Sequence, residues 1–262
     1  MRDGLWEPAA FTEISPPMTS REKTAFLALE DSGPDRPFAE KLFTVAWGAI
    51  QWPWLARSLW GGKLADKTAL LDRLGLPHDA LPHLGSWKAD TYFLWRIVGA
   101  IEKLRPREVV ELGCGASTLV IAKSLELNGD GRLTSLDQHA GFVEATAKWL
   151  ASHDLEASLR HAPISEDPSH WSHCWYDLPS LPQEIDLLVI DGPPWTLNPF
   201  VRGRAEVLFE RIAPGGMVLL DDAARPGERV VAQRWKRDWP DFDFTLLPGA
   251  KGTLVGQRRA KA

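Results

Sequence analysis

The chain has 262 residues, of which 44% are hydrophobic and 25% are charged, so its length suits one large domain or one domain with a small appendage. Its net charge of -5 argues against non-specific binding to nucleic acids, because phosphate contacts require a basic surface. Two cysteines, Cys114 and Cys174, are too few for a disulfide framework, and a reducing cytoplasm is therefore the expected location.

The first 35 residues are rich in proline, serine and charge, and they predict a loosely packed tail with at most a short helix over 20–30. No apolar segment of a secretory signal occurs at the N-terminus. The most apolar stretch, 42–55, is interrupted by Gln51 and Pro53 and is too short to cross a bilayer. We therefore expect no stable insertion into a membrane.

Tryptophan-rich helices are predicted before residue 84. Apolar residues recur at steps of three and four from 36 to 60, as in a helix that packs one face on a domain. A second helix is expected over 63–74 and ends at Gly75. We place a domain boundary near Leu84, so that residues 1–84 form a helical extension. A lid over a pocket, or an aromatic surface for a partner, is the alternative to simple packing.

A strand, a glycine turn and a helix are predicted in succession over 107–123. Residues 109–112 form a short apolar run typical of a buried parallel strand. Gly113 and Gly115 then permit backbone angles that other residues avoid, and Ser117 is a suitable residue for the first helical turn. The free N–H groups of such a turn often bind a nucleotide-like ligand.

Five predicted strands alternate with helices after residue 90, and a terminal hairpin follows. The strands are expected at 109–112, 132–137, 156–162, 185–191 and 217–222, and the hairpin at 242–247 and 252–257. Alternation predicts an α/β fold with a doubly wound, mostly parallel sheet of seven strands, whose last two form the antiparallel hairpin. Three strands end in carboxylates, Asp137, Asp191 and Asp222, which should converge on one crevice. An irregular loop is expected at 165–182.

The segment VVELGCGAST at 109–118, the acid at Asp137 and the terminal hairpin resemble class I S-adenosylmethionine-dependent methyltransferases, over roughly residues 86–258. The pair IDGPP at 190–194 and LLDDAAR at 219–225 is similar to a bacterial branch that methylates small molecules. The resemblance implies a Rossmann-like S-adenosylmethionine-binding domain at 85–262 and an acceptor with an oxygen nucleophile. It implies a cytoplasmic enzyme with no nucleic-acid partner. A homodimer through the Trp-rich region is a further expectation.

The resemblance also implies roles for individual residues. Asp137 would bind the ribose hydroxyls, and Glu111 would bond near the methionine amino group. The implied cofactor-binding residues are Glu111, Gly113, Cys114, Gly115, Ser117, Asp137, Gln138, Ala162, Pro163 and Asp191. Asp191, under the transferring methyl, and Asp222 are the candidate catalytic residues. A hydroxyl acceptor would need a general base, and the candidates are Asp191, His170, His173 and Lys251.

A divalent metal is a feature of catechol-type relatives, which hold it with acids after strands four and five and a neighbouring Asn. Asp191 and Asp222 match the two acids, but Ala223 stands where the Asn would be. Two hard oxygen ligands could still hold Mg²⁺ together with waters, but the missing third ligand puts metal dependence in doubt, and no metal ligand is assigned. The alternative role for Asp222 is pairing with Arg202 or Arg225.

Three other functions compete with this interpretation. A nicotinamide oxidoreductase would share the glycine turn, but Thr118 replaces its third glycine and the terminal hairpin is unexplained. A nucleic-acid amino-methyltransferase would carry Asn/Asp-Pro-Pro-aromatic, which Gly192 interrupts here. A non-catalytic binding module would use the Trp-rich region to dock on a partner.

Overall fold

The structure is a computed structural model that describes residues 36–260. Six α-helices occur in this range: α1 Phe38–Ser58, α2 Leu64–Leu74, α3 Thr91–Leu104, α4 Ala116–Asn128, α5 Ala140–Ala151 and α6 Pro226–Asp238. Nine strands are β1 Glu108–Leu112, β2 Arg132–Asp137, β3 Ser158–His161, β4 Ile164–Glu166, β5 Cys174–Tyr176, β6 Ile185–Ile190, β7 Ile212–Leu220, β8 Phe242–Leu247 and β9 Thr253–Arg258. A 3₁₀ helix spans Val201–Arg211.

Seven of the strands form one sheet in the order β3-β2-β1-β6-β7-β9-β8. The first five are parallel to one another, whereas β9 pairs antiparallel with both β7 and β8. The predicted fold class is therefore confirmed. The strand order reverses between β1 and β6, and a crevice at the carboxyl ends of these two strands is where open α/β sheets bind ligands.

Alternation along the central strands fills both faces of the sheet. Val109 and Leu187 pack with the buried leucines of α2, α3 and α4 on one face. Val110 and Leu188 pack with the 3₁₀ helix and α6 on the other, where Trp235 is fully buried. Successive residues of a strand point to opposite faces, so a sheet covered by helices on both sides needs continuous apolar strands.

Two local predictions differ from the structure. The predicted irregular loop at 165–182 contains most of an antiparallel hairpin, in which β4 pairs with β5. The predicted helix after residue 200 is a 3₁₀ helix, and β7 begins directly after it, five residues before the expected start at 217. In both places the elements are short or tightly coiled, so the chain offers little periodicity to detect.

The N-terminal helices differ from each other in how they pack. Leu70, Leu71 and Leu74 of α2 lie in the same core cluster as α3 and the sheet. Helix α1 instead buries Gln51 while Phe38 is 80% exposed. None of the helices within residues 36–260 combines the length and hydropathy that a bilayer-spanning helix needs. The boundary near Leu84 stays a prediction, and the tail with its short helix at 20–30 lies outside the described residues.

Candidate active site

The loops that follow β1 and β6 touch each other. Leu112 O accepts hydrogen bonds from the N–H groups of Asp191, at 2.8 Å, and Gly192, at 2.6 Å. Gly113 has a φ of +95°, and a Cβ there would lie 2.6 Å from Gly192 N. Only glycine fits this conformation and this close approach. The backbone thus forms the floor of a crevice at the point where the strand order reverses.

A cavity of about 260 Å³ opens above this floor. Six of the predicted site residues line it: Gly113, Cys114, Asp137, Gln138, Asp191 and Asp222. Five others do not: Glu111 is buried in β1, Gly115 ends the glycine turn, Ser117 is buried in the first turn of α4, Ala162 is buried, and Pro163 is exposed after β3. The structure therefore brings together the glycine turn and all three strand-end carboxylates that the sequence analysis singled out.

Glu111 supports the glycine turn from behind. Its Oε2 accepts hydrogen bonds from Thr118 Oγ1 and Ser135 Oγ, both at 2.6 Å, and Thr118 Oγ1 in turn accepts from the N–H of Gly115 at 2.7 Å. Complete burial raises the pKa of Glu111 to about 7. Its Oε1 makes no hydrogen bond within the described part of the chain. Glu111 is therefore placed to hold the turn rather than to line the cavity.

Asp137 ties the second strand to the same turn. Its Oδ2 accepts a hydrogen bond from the N–H of Cys114 at 3.1 Å, and its Oδ1 accepts from the N–H of His139 at 2.8 Å. Burial raises the pKa of Asp137 to about 6, although these two hydrogen bonds act in the opposite direction and lower it. Beside it, Gln138 Oε1 accepts a hydrogen bond from Tyr176 Oη at 3.2 Å. The β4–β5 hairpin thus braces one wall of the cavity.

The carboxylates after β6 and β7 form a cluster. Single oxygens of Asp191, Asp221 and Asp222 lie within 4.8 Å of one another. Burial, followed by the charge of Asp221, raises the pKa of Asp191 to about 8. Burial opposes ionisation of Asp222 as well, but Arg225, Lys251 and Arg202 hold its pKa well below the usual range. Two neighbouring acids are thus driven in opposite directions by their partners.

Cations surround this cluster. Arg202 lies with Nη1 3.2 Å from Asp222 Oδ2 and with Nη2 3.5 Å from Asp191 Oδ1, and its Nη2 also donates to Asp191 O. Arg225 pairs with Asp222. Both guanidinium groups line the cavity. The sequence analysis named these arginines only as alternative partners of Asp222, because nothing in their spacing shows that they reach the site.

Apolar side chains form the remaining wall. Trp87, Phe142 and Trp195 line the cavity, together with Leu55 and Leu59 at the end of α1. Phe142, Leu55 and Leu59 were not predicted to belong to the site. Leu55 and Leu59 reach it through the packing of α1 and Phe142 through that of α5, which no local pattern in the sequence specifies.

The two histidines named as general-base candidates are absent from the cavity lining, as is Lys251. His170 is buried with its Nδ1 2.6 Å from Ser172 Oγ, and burial lowers its pKa to about 4. Lys251 is buried in the acidic cluster. Of the four candidates, Asp191 alone lines the cavity.

Comparison with known proteins locates a methyltransferase domain here. Residues 110–223 match the family described as "Methyltransferase domain". No curated protein matches the chain significantly. This match, over less than half of the chain, lies within the predicted S-adenosylmethionine-binding domain and agrees with the prediction of a methyltransferase.

Several solved structures are similar to the chain at low identity. The O-methyltransferase TomG from Streptomyces achromogenes, in complex with SAM, is 17% identical, with coverage of 83% of this chain and 99% of that chain and a TM-score of 0.48. The O-methyltransferase from Bacillus cereus, in complex with SAH, is 14% identical, with coverage of 82% and 100% and a TM-score of 0.49. The SAH-bound methyltransferase PaMTH1 from Podospora anserina is 14% identical, with coverage of 88% and 100% and a TM-score of 0.49.

Proposed function

We propose that this chain transfers the methyl group of S-adenosylmethionine to an oxygen nucleophile of a small, ring-bearing molecule. One observation carries the proposal: the glycine turn, Asp137 and Asp191 line a single cavity at the carboxyl ends of β1, β2 and β6. This is the position at which open α/β sheets bind nucleotide-like ligands, beside the carboxylates that end the strands.

The residues present fit the donor. Gly113 lets the turn after β1 pack directly on the loop after β6, because a Cβ there would lie 2.6 Å from Gly192 N, and the two loops together form the floor on which a ligand would lie. We assign the ribose hydroxyls to Asp137, whose carboxylate the N–H groups of Cys114 and His139 already orient. Gln138, fixed by Tyr176, is assigned to the adenosine side. Glu111 acts indirectly in this proposal, because it holds the turn through Thr118.

The bound donor supplies an activated methyl group, so the protein mainly has to orient the acceptor and take up its proton. Asp191 is the carboxylate placed for this task, since it lines the cavity and, among the described residues, Arg202 is the one cation within ion-pair distance, with Lys251 acting from further away. Its pKa of about 8 suits a base that accepts a proton from a phenol-like hydroxyl. The acceptor oxygen forms its bond to the methyl carbon, the carbon–sulfur pair stays with sulfur, and the hydroxyl proton passes to Asp191.

The acceptor side of the cavity is apolar. Trp87, Phe142 and Trp195 present rings to it, and such walls favour a flat aromatic acceptor and exclude water. The net charge of -5 disfavours a nucleic acid as acceptor. A nicotinamide cofactor is disfavoured because Thr118 occupies the place of the third glycine and is committed to Glu111.

Helix α1 supports the proposed roles of a lid and of a dimer contact. Leu55, Ser58 and Leu59 at its end line the cavity, and Gly48 approaches Trp195 closely enough that a Cβ would lie 3.1 Å from the indole. Its outward face carries exposed apolar side chains: Phe38, Leu42, Val45, Ile50 and Trp52. We propose that the described part of the N-terminal extension, residues 36–84, covers the site and that this face pairs with a second copy, which sedimentation velocity will test. The free thiols of Cys114 and Cys174 support a cytoplasmic enzyme.

Calorimetry tests the donor, and methyl transfer tests the acceptor. The purified chain is titrated with S-adenosylhomocysteine and, separately, with NAD; we expect binding of the first alone. Radiolabelled methyl transfer is then measured with matched panels of phenols, anilines, thiols and an RNA oligonucleotide. Labelling of phenols supports the proposal. Binding of NAD, or labelling confined to RNA, would contradict it.

A further inference from the structure

The cluster of Asp191, Asp221 and Asp222 has the composition of a divalent-cation site. Three carboxylate oxygens within 4.8 Å of one another are hard ligands of the kind that Mg²⁺ and Mn²⁺ prefer. Asp221 and Asp222 follow β7, and the N–H of Asp221 bonds to Ile190 O at 2.9 Å, so the two strand ends are held side by side. Whether an ion fits depends on what else occupies the cluster.

Lys251 occupies it. Its Nζ lies 2.8 Å from Asp221 Oδ2 and 3.3 Å from Asp222 Oδ1, and donates to Lys88 O at 3.1 Å. An ammonium group has three N–H donors, and these three contacts use them. The Lys251 side chain is 1% exposed and that of Asp221 is fully buried, so the pair is shielded from water.

The backbone of the β8–β9 turn fixes this lysine. Lys251 O accepts a hydrogen bond from the N–H of Ala224 at 2.9 Å, and Gly252 O accepts from the N–H of Ala223 at 3.1 Å. The turn is thereby attached to the loop that carries Asp221 and Asp222. These backbone hydrogen bonds hold the Lys251 ammonium at a fixed position beside the acids, as protein ligands would hold a bound metal ion.

Three fixed positive charges already lie against the cluster. Arg202 and Arg225 contact Asp222, Arg202 also contacts Asp191, and Lys251 contacts Asp221, while Arg225 also pairs with the nearby carboxylate of Glu228. A divalent ion would have to enter beside these charges, and Coulomb repulsion in a buried site is strong. The residues present do not fit a divalent metal.

We infer that the Lys251 ammonium replaces a divalent cation between Asp221 and Asp222, and that removing it creates a metal site. Lys251 is therefore a positioning residue, which keeps the loop after β7 in place without contacting the acceptor. Its effect on catalysis rests on the proposed function, whereas the cation-binding claim does not. A cation-binding measurement separates the two.

The experiment compares the unmodified chain with Lys251→Ala and Lys251→Asn, the second of which adds an amide oxygen as a ligand. Lys236→Ala, an exposed lysine of α6, is the matched control. Mn²⁺ binding is followed by electron paramagnetic resonance and by the shift of Tm on adding Mn²⁺. We expect at least a tenfold gain in Mn²⁺ affinity for both Lys251 variants, and a metal-dependent rise in Tm that the unmodified chain and Lys236→Ala lack.

A Lys251 variant that folds only when Mn²⁺ is present during refolding also supports the inference. Three results would overturn it: Mn²⁺ binding by the unmodified chain that Asp221→Asn abolishes, folded Lys251 variants with no gain in affinity, or variants that Mn²⁺ cannot fold. Binding of S-adenosylhomocysteine is measured in parallel. If the unmodified chain does not bind this ligand, the proposed function is refuted, but the result on cation binding still holds.

Discussion

Replacing Asp137 with Asn tests the assignment of the ribose site directly. The carboxylate lies at the end of β2 and accepts hydrogen bonds from two backbone donors, the N–H groups of Cys114 and His139. Asn has one oxygen, so its amide nitrogen must face one of these donors or turn towards the ligand. The variant removes the negative charge and keeps nearly the same volume.

The expected loss follows from these contacts. Hydrogen bonds to a charged group contribute roughly 1.5–3 kcal/mol each, and the variant loses the charge for the ribose hydroxyls while disturbing one bond to the turn. A net loss of about 2–3 kcal/mol weakens the Kd for S-adenosylhomocysteine by roughly 30- to 140-fold. The fold should tolerate the change, because burial raises the pKa of Asp137 to about 6 and so already disfavours its charged form.

Isothermal titration calorimetry with S-adenosylhomocysteine measures the Kd, and thermal unfolding confirms that the variant is folded. Asp130→Asn is the control, since Asp130 is an exposed acid in the turn before β2 and its loss changes the net charge equally. An unchanged Kd in a folded Asp137→Asn protein would remove the sugar contact from the proposal.

Three further predictions concern protonation and packing. The pKa of Asp137 is about 6, and ligand hydroxyls favour its ionised form, so affinity for S-adenosylhomocysteine should rise from pH 5 to 7 and binding below pH 6 should release a proton from Asp137. Calorimetry in buffers of different ionisation enthalpy measures both effects, and a pH-independent Kd contradicts the prediction. Asp191→Asn should lower methyl transfer to a phenol at least 10²-fold while leaving that Kd within about threefold; unchanged turnover excludes Asp191 as the base. Gln51 is completely buried, and its amide atoms make no hydrogen bond within the described residues. Gln51→Leu removes this unpaired amide and should raise Tm by about 2–4 °C for each kcal/mol by which the folded state is stabilised, whereas a lower Tm contradicts the burial of Gln51.

The sheet could be predicted because its signals are local. The apolar run Ile185–Ile190 ends directly in Asp191, and its Leu187 is paired in register with Val109 of the neighbouring strand. Each strand, turn and helix occupies one continuous stretch, and the carboxyl ends of parallel strands must share one edge. The convergence of Asp137, Asp191 and Asp222 on the cavity follows from that rule alone.

The packing of α1 could not be predicted by the same means. Periodicity indicated a helix, and the expectation was that its apolar face would be buried. The structure instead exposes Phe38 and Leu42 and buries Thr44, Gln51 and Ser58. The helix packs against the loops that surround the cavity and not against the hydrophobic core, so the residues that it buries are those that contact these loops.

Contacts between the acids and the cations join residues that lie far apart in the sequence. Lys251 reaches Asp221 across thirty positions of the sequence, and Arg202 reaches Asp222 across twenty. Contacts between elements depend on how the elements pack, which a spacing within one element does not encode. Pairing of Asp222 with Arg202 or Arg225 was predicted as an alternative role and both pairs are present, whereas the pairing of Lys251 with Asp221 was not predicted.

Those cations give different roles to Asp191 and Asp222, the two residues that the sequence predicted as catalytic. Asp222 contacts three positive groups and its pKa is held low, so at neutral pH it is a permanent anion bound to its neighbours. Asp191 forms an ion pair with Arg202 and lies in the field of Lys251, but burial and the charge of Asp221 outweigh these cations and raise its pKa to about 8. A general base must both reach the ligand and change its protonation near the working pH. Asp191 meets these conditions, whereas Asp222 orients Arg202 and Arg225 in the wall of the cavity. The difference comes from burial and charge alone, since both residues are aspartates at the ends of adjacent parallel strands.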